Sequence, residues 1–134
     1  MNNLNSNIKV LVIEDDLYMQ TILQEFLKKY EVNIYADGID ALVFMQNGNV
    51  PDLIIADLNT PKLSGLEFIE QIKISDFFSS IPVIVLSGEE STVKRIECLD
   101  AGADDFIVKP FNPGELEARI KVILRRVGKF SYAS

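Results

Sequence analysis

Four apolar runs in this sequence stop abruptly at residues that can do chemistry. Ile8-Lys9-Val10-Leu11-Val12-Ile13 runs into Glu14-Asp15-Asp16, and Leu53-Ile54-Ile55-Ala56 runs into Asp57. Ile81-Pro82-Val83-Ile84-Val85-Leu86 stops at Ser87-Gly88, and Phe106-Ile107-Val108 at Lys109. Gathered in one place, these ends offer three carboxylates, a hydroxyl and an ammonium. Two carboxylates about 4 Å apart repel by roughly 4 kcal/mol at an effective dielectric near 20. Such a cluster is strained unless a cation joins it, and a few carboxylates with room for water suit Mg²⁺. Lys109 can neutralise a further charge and is a point-charge binder of phosphate. Ser87 and the backbone N–H of Gly88 can donate to phosphoryl oxygens, and glycine lets the chain approach closely. Asp57 is then a nucleophile toward phosphorus, with cation and ammonium absorbing charge on the equatorial oxygens.

Each residue also has a plainer role to answer. An Asp after a strand often caps the next helix. Here the next helix is expected near Ser64, where Ser64-Gly65-Leu66-Glu67 has capping-box spacing, so Asp57 comes too early to serve it. Asp16, by contrast, is expected to cap the first helix. Alone, Ser87 reads as a loop hydroxyl and Lys109 as a solvated amine; their arrival together on successive strand ends gives them a joint role.

The elements that must position these groups can be read from periodicity. Short apolar runs bounded by polar and Pro signals read as strands buried on both faces of a parallel sheet. They are predicted over Ile8–Ile13, Val32–Ala36 (an edge strand), the run ending at Asp57, Ile81–Leu86 and Phe106–Val108. Helices are predicted over Leu17–Tyr30, Gly38–Gln46, Gly65–Ile74, Ser91–Ala101 and from Pro113 to about Val127. Pro82 stands at the start of its strand, where no ladder donor is missed. Gly102 stops one helix, and Asn112-Pro113-Gly114-Glu115 supplies N-cap, N1 proline and N3 acid for the last. Five strand–helix units with right-handed crossovers favour an α/β doubly wound parallel sheet, the first and third strands adjacent at its centre. Residues 1–7 are expected to be a disordered extension, 8–127 one folded unit and 128–134 a tail or linker.

Composition narrows the chemistry. The 134 residues fit one domain. With no histidine, these residues can build no Ser-His-Asp or Cys-His arrangement and no His-ligated zinc site. A phosphate destined for Asp57 must come from another molecule. The single cysteine, Cys98, cannot form an internal disulfide, no apolar run approaches the ~20 residues of a membrane helix, and residues 1–7 lack the regions of a signal peptide, so a cytoplasmic protein is expected, with no membrane partner. Net charge is −7, with 18 acidic and 7 basic groups in residues 1–108 against 2 and 6 in residues 109–134. A pI near 4.5 speaks against direct nucleic-acid binding by this domain.

Glu14-Asp15, Asp57, Ser87-Gly88 and Asp105-Phe106-Ile107-Val108-Lys109-Pro110-Phe111 resemble the motif set of the CheY-like response-regulator receiver domain, over residues 8–127. The resemblance implies a flavodoxin-like fold with strand order 2-1-3-4-5, and phosphorylation of Asp57 by the phosphohistidine of a histidine kinase or phosphotransfer protein. It makes the chain a phosphoacceptor that assists its own phosphotransfer and dephosphorylation rather than an enzyme. By position, Asp15, Asp57 and the carbonyl of Asn59 ligate Mg²⁺, Glu14 holds a water on the metal, and Lys109 pairs with the phosphate across a cis Lys109–Pro110 peptide. Ser87 moves toward the phosphate, vacating space into which Phe106 turns, and the surface of the fourth helix, fifth strand and fifth helix shifts. Two positions depart from the common pattern: Ser87 where Thr is more usual, and Phe106 where Tyr is common.

On the fourth helix Ile96 and Leu99 lie opposite Cys98 and Ala101, suggesting a partner surface. With Arg95, Asp100 and Asp105, and Glu115, Arg119 and Lys121 on the last helix, this face is similar to the dimer face of OmpR/PhoB-type receivers. The resemblance implies pairs Arg95–Glu115, Asp105–Arg119 and Asp100–Lys121 across a two-fold axis; solvated helix charges are the plainer reading. Receivers of this type usually continue into a DNA-binding domain, so the chain is either a single-domain regulator or a piece of a longer protein. Two rivals stand beside the phosphoacceptor: a receiver-like interaction module that is never phosphorylated, and a small Mg²⁺-dependent phosphatase with an aspartyl nucleophile. The second rival calls for an Asp two residues after the nucleophile, where this chain has Asn59.

Overall fold

The computed structural model describes residues 7–129; the expected extension falls almost wholly, and the tail from residue 130 on, outside them. Its strands are β1 (Lys9–Ile13), β2 (Glu31–Tyr35), β3 (Leu53–Asp57), β4 (Val83–Ser87) and β5 (Asp105–Val108). Its helices are α1 (Leu17–Phe26), α2 (Gly38–Gln46), α3 (Gly65–Lys73), α4 (Thr92–Ala101) and α5 (Pro113–Arg126). The strands form one sheet in the order β2-β1-β3-β4-β5, every pair parallel. This is the expected doubly wound, flavodoxin-like order, with β1 and β3 adjacent at the centre.

Why these strands form is visible in their burial. All five residues of β3 and of β4 are buried, because helices cover both sheet faces. Alternation along the strands sends Leu11, Ile13, Ile54, Ala56, Val83, Val85 and Phe106 to one face, under Ala41 and Met45 of α2, Phe68, Ile69 and Ile72 of α3 and Cys98 of α4. Val10, Val12, Leu53, Ile55, Ile84, Leu86 and Ile107 go to the other, under Leu23 of α1 and Leu116, Ile120, Ile123 and Leu124 of α5. The edge strand β2 has no fully buried residue.

Helix starts follow the side-chain caps. Asp16, Asp37, Ser64, Ser91 and Asn112 each accept a backbone N–H at a helix N-terminus, and Ser64 and Glu67 close a reciprocal capping box. Several boundaries differ from the sequence expectation. The first helix ends at Phe26, not Tyr30: Leu27 and Tyr30 keep helical spacing and are buried, but they reach the core from a turn in which the Tyr30 N–H donates to the Leu27 carbonyl at 2.9 Å. The fourth strand starts at Val83 and includes Ser87, while Pro82 contributes a carbonyl that accepts from the Ile54 N–H. The second strand begins one residue earlier, at Glu31.

Gly65 fixes how closely α3 approaches the end of β3. A Cβ there would stand 2.7 Å from the Asp57 carbonyl oxygen and 2.9 Å from Leu58 Cα, and the Gly65 N–H donates to the Leu58 carbonyl at 2.8 Å. Backbone on both sides leaves nothing flexible to give way. Gly65→Ala is therefore expected to cost about 1–3 kcal/mol by overpacking, read by urea denaturation, and to weaken divalent-cation binding by moving Asp57. A variant as stable as the parent would show that the approach of α3 to β3 is not constrained there.

Candidate functional site

Glu14, Asp57 and Lys109 have the same strand parity, on the α1/α5 side of the sheet, at or one residue beyond the ends of β1, β3 and β5. Neighbouring strands lie about 4.8 Å apart, so β5 is roughly 10 Å from β3 and a four-carbon stem is needed to bridge them. Lys109 supplies it. Its Nζ lies 3.0 Å from Glu14 Oε1 and 3.3 Å from Asp57 Oδ1. The Lys109 N–H donates to the Ser87 carbonyl at 2.7 Å, and the Lys109–Pro110 peptide is cis, as the resemblance implied.

Both acids are sequestered: Glu14 is 1% and Asp57 6% exposed. Asp15 is exposed at the rim. One oxygen from each of Glu14, Asp15 and Asp57 lies within 4.8 Å of the others. Glu14 is held from several sides: its Oε2 accepts from the Asp16 N–H at 3.1 Å, its carbonyl accepts from Gln20 Nε2 at 2.6 Å, and its N–H donates to the Tyr35 carbonyl. Asp16 itself caps α1, accepting from the Met19 N–H.

Burial is the main force raising the Asp57 pKa above the ordinary aspartate value; the Glu14 and Asp15 charges add to it, and Lys109 opposes them. Burial also works against the charged form of Lys109, but the Glu14 and Asp57 carboxylates more than offset it, and its pKa lies above the ordinary lysine value. Among the described residues, Lys109 thus pairs with two of these three carboxylates and leaves Asp15 without a cation. A hard, all-oxygen donor set with surplus negative charge fits a small divalent cation such as Mg²⁺.

The remaining expected site residues sit around this cluster. Ser87 is fully buried, with opposite parity to Asp57, and its hydroxyl is engaged locally: it accepts from the Glu89 N–H at 3.0 Å and donates to the Glu89 carbonyl at 3.3 Å. Gly88 is exposed, and a Cβ there would meet nothing within 4 Å. Asn59 is exposed, two residues past Asp57. Phe106 is buried, 4% exposed, on the same sheet face as Val83 and Val85. On the expected partner face Ile96 and Leu99 are exposed and Cys98 is buried, as the spacing suggested. Arg119, however, pairs within its own chain, 2.8 Å from Asp105 and 2.9 Å from Glu115, and Lys121 lies 3.6 Å from Glu117. Gln20 and Gly65 were not singled out for the site; Gln20, four residues past the Asp16 cap, was the findable one.

Against known sequences, the response regulator receiver domain profile matches residues 10–121. This chain belongs to the response-regulator receiver family. It is 39% identical over 136 residues to the probable transcriptional regulator ycf27 of Galdieria sulphuraria, an alignment covering 100% of this chain and 52% of that protein. The chain therefore spans about half the length of the curated relatives it matches. Among solved structures, a putative response regulator from Chloroflexus aurantiacus superposes with a TM-score of 0.85 at 30% identity, covering 90% of this chain and 100% of that one. The receiver domain of the sensor histidine kinase PA1611 from Pseudomonas aeruginosa, with a magnesium ion coordinated in its active-site cleft, superposes with a TM-score of 0.78 at 30% identity (92% and 99% covered). Among the described residues of this receiver, no helix is long and apolar enough to cross a membrane.

A sign follows for the receiver's stability without divalent cation. Because the Asp57 pKa is raised on folding, the folded state binds more protons than the unfolded state at pH values above the ordinary aspartate pKa, and stability falls as pH rises through the folded pKa. Above it, the repulsion is fully present. Asp57→Asn is expected to raise the melting temperature of the cation-free chain at pH 7, by about 3 °C for each kcal/mol relieved, and to flatten this pH dependence. A melting temperature lowered by the substitution would show that the Lys109 contact outweighs the crowding.

Proposed function

We propose that this receiver is a phosphoacceptor in two-component signalling, with Asp57 as the residue phosphorylated and a phosphohistidine of a histidine kinase or phosphotransfer protein as donor. The single observation that carries the reading is the Lys109 amine 3.0 Å from Glu14 and 3.3 Å from Asp57 beneath an acidic cluster. An Asp57 carboxylate oxygen attacks phosphorus, the P–N bond to the donor imidazole breaks, and the imidazole nitrogen leaves with the electron pair and takes up a proton. Asp15, Asp57 and the Asn59 carbonyl would hold Mg²⁺, with Glu14 behind them. When bound, the cation supplies charge neutralisation on the phosphoryl oxygens. Lys109, fixed by Glu14, stays within reach of that charge; Ser87 and the Gly88 N–H are the remaining donors, Ser87 once it releases Glu89. We place the chain in the cytoplasm, where such donors are found.

The phosphate adds about one to two negative charges and new acceptor oxygens beside Lys109. We propose that the resulting shift is read at the α4-β5-α5 face, where Arg95, Ile96, Leu99, Asp100, Asp105, Glu115, Arg119 and Lys121 would meet a second copy. The exposed Ile96 and Leu99 support this reading.

With Mg²⁺, beryllofluoride is expected to bind the parent at Asp57 and not the Asp57→Asn variant, as followed by mass spectrometry under native conditions or by fluorine NMR. Labelling of Asp57→Asn by acetyl phosphate at the parent's level would overturn the assignment, and turnover of small phosphate esters would favour a phosphatase. Sizing by light scattering is expected to show more dimer with the mimic than without it. A monomer unchanged at high concentration would remove the dimer and leave the phosphoacceptor chemistry standing.

A further inference from the structure

Arg95, on the solvent side of α4, lies with its guanidinium carbon 5.1 Å from the centroid of the Phe106 ring. Among the described residues no carboxylate is within ion-pair distance of Arg95, and Glu115 of α5 and Asp105 of β5 are both held by Arg119. A groove of about 240 Å³ separates the two arginines, with Phe106 and Asn112 in its wall. The aromatic face is the partner that the Arg95 charge has found, and a cation over a ring face is attracted by the ring quadrupole.

The ring it covers is not an ordinary core residue. Phe106 shares a sheet face with Val83 and Val85 and, by strand alternation, with Ser87. Ser87 in turn is tied through both its hydroxyl bonds to Glu89, in the short loop that leads through the Ser91 cap into α4. Three attachments therefore meet under one helix: the Ser87 hydroxyl at the end of β4, bonded to the loop before α4, the Phe106 ring of β5, and the guanidinium that joins α4 to the ring. With no hydroxyl at position 106, the ring itself can make no hydrogen bond that would fix its rotamer.

We propose that Arg95 is a positioning residue for the phosphoacceptor site: its guanidinium pins the Phe106 ring in the buried position and couples α4 to β5, so that the β4–α4 loop that holds the Ser87 hydroxyl through Glu89 moves together with the ring. The inference rests on the phosphoacceptor reading and adds to it a residue that touches neither phosphate nor metal. Arg95 is exposed, so its replacement leaves the core intact, and removing it frees the ring and, through α4, the Ser87 loop.

The test uses the full chain with 4-fluorophenylalanine at position 106, in the parent, in Arg95→Met (similar length, no charge) and in Arg95→Lys. The parent is expected to give one shielded fluorine resonance; Arg95→Met is expected to shift or split it, and Arg95→Lys to restore much of the parent signal. Phosphorylation by acetyl phosphate with Mg²⁺, in unlabelled chains, is expected to change by about two- to five-fold in Arg95→Met, the scale of an exposed cation–π contact, with the lysine variant returning toward the parent. Equal spectra and equal rates in parent and Arg95→Met would overturn the proposal. So would a changed fluorine signal with an unchanged rate, because the ring would then be held without consequence for the site. A parent that accepts no phosphate removes the phosphoacceptor reading and the positioning role with it; that failure is recognised because none of the three chains is labelled, whereas failure of the positioning role alone leaves parent and Arg95→Met labelled at the same rate.

Discussion

The arrangement of the whole molecule depends on a shortage of positive charge at one edge of its sheet. Glu14 and Asp57 are almost fully buried, and one ammonium is shared between them, with Asp15 adding a third negative group at the rim. Removing a carboxylate from water costs several kcal/mol unless it is well paired, and here the pairing is incomplete. The strain is carried by the sheet. β3 and β4 are buried at every residue, so the strand ends cannot spread to relieve the crowding without opening the core. Close approach of α3 at Gly65 braces the same point from behind. The stable centre and the uncomfortable edge are two consequences of one topology: parallel strands all present their carboxyl ends on the same side.

That shortage also orders the chemistry. Lys109 alone neutralises part of the cluster and fixes where any further positive charge must go, on the Asp15 side, open to solvent. A divalent cation there would offset the surplus negative charge of the cluster, and with Lys109 it would then face the negative charge that a phosphoryl group adds. An isolated nucleophilic Asp would need no such surroundings. The phosphatase alternative, with its second Asp, finds Asn59 in that place, which lowers the acidity of the cluster and removes a candidate general acid.

Much of this was legible in the sequence because the signals were local. Apolar runs marked strands, and Asp16, Ser64, Ser91 and Asn112 marked helix starts to within a residue, since a cap is a contact over two or three positions. Glu14, Asp57 and Lys109 could be brought together because a parallel sheet turns strand ends into one edge. What failed to show was anything decided by tertiary geometry. Tyr30 has helical spacing from Leu23 and Leu27 yet lies beyond the helix, because periodicity reports which face is buried and not whether the backbone is still coiled. The Ser87 rotamer, turned toward Glu89, and the burial of Phe106 depend on which neighbours arrive. Gly65 was visible as one position in a capping box, but its closeness to the Asp57 carbonyl belongs to a packing distance that no pattern encodes.

The charges on the α4-β5-α5 face show how such geometry changes an energetic argument. Read from sequence, Asp105, Glu115 and Arg119 look like unpaired groups waiting for a second copy. In the folded chain Arg119 already bridges Asp105 and Glu115. Cross-axis pairs would have to replace these contacts, not add to them, and exposed ion pairs are worth only about 0–1 kcal/mol each. Exchange of one such pair for another leaves little net gain, so the ionic groups can set register and orientation but cannot drive association. Any driving force for such a pairing would have to come from covering Ile96 and Leu99, whose apolar surface is open to water in the single chain. In such an interface, a modest change in the position of α4 relative to β5 would be enough to decide whether the two apolar side chains met their counterparts.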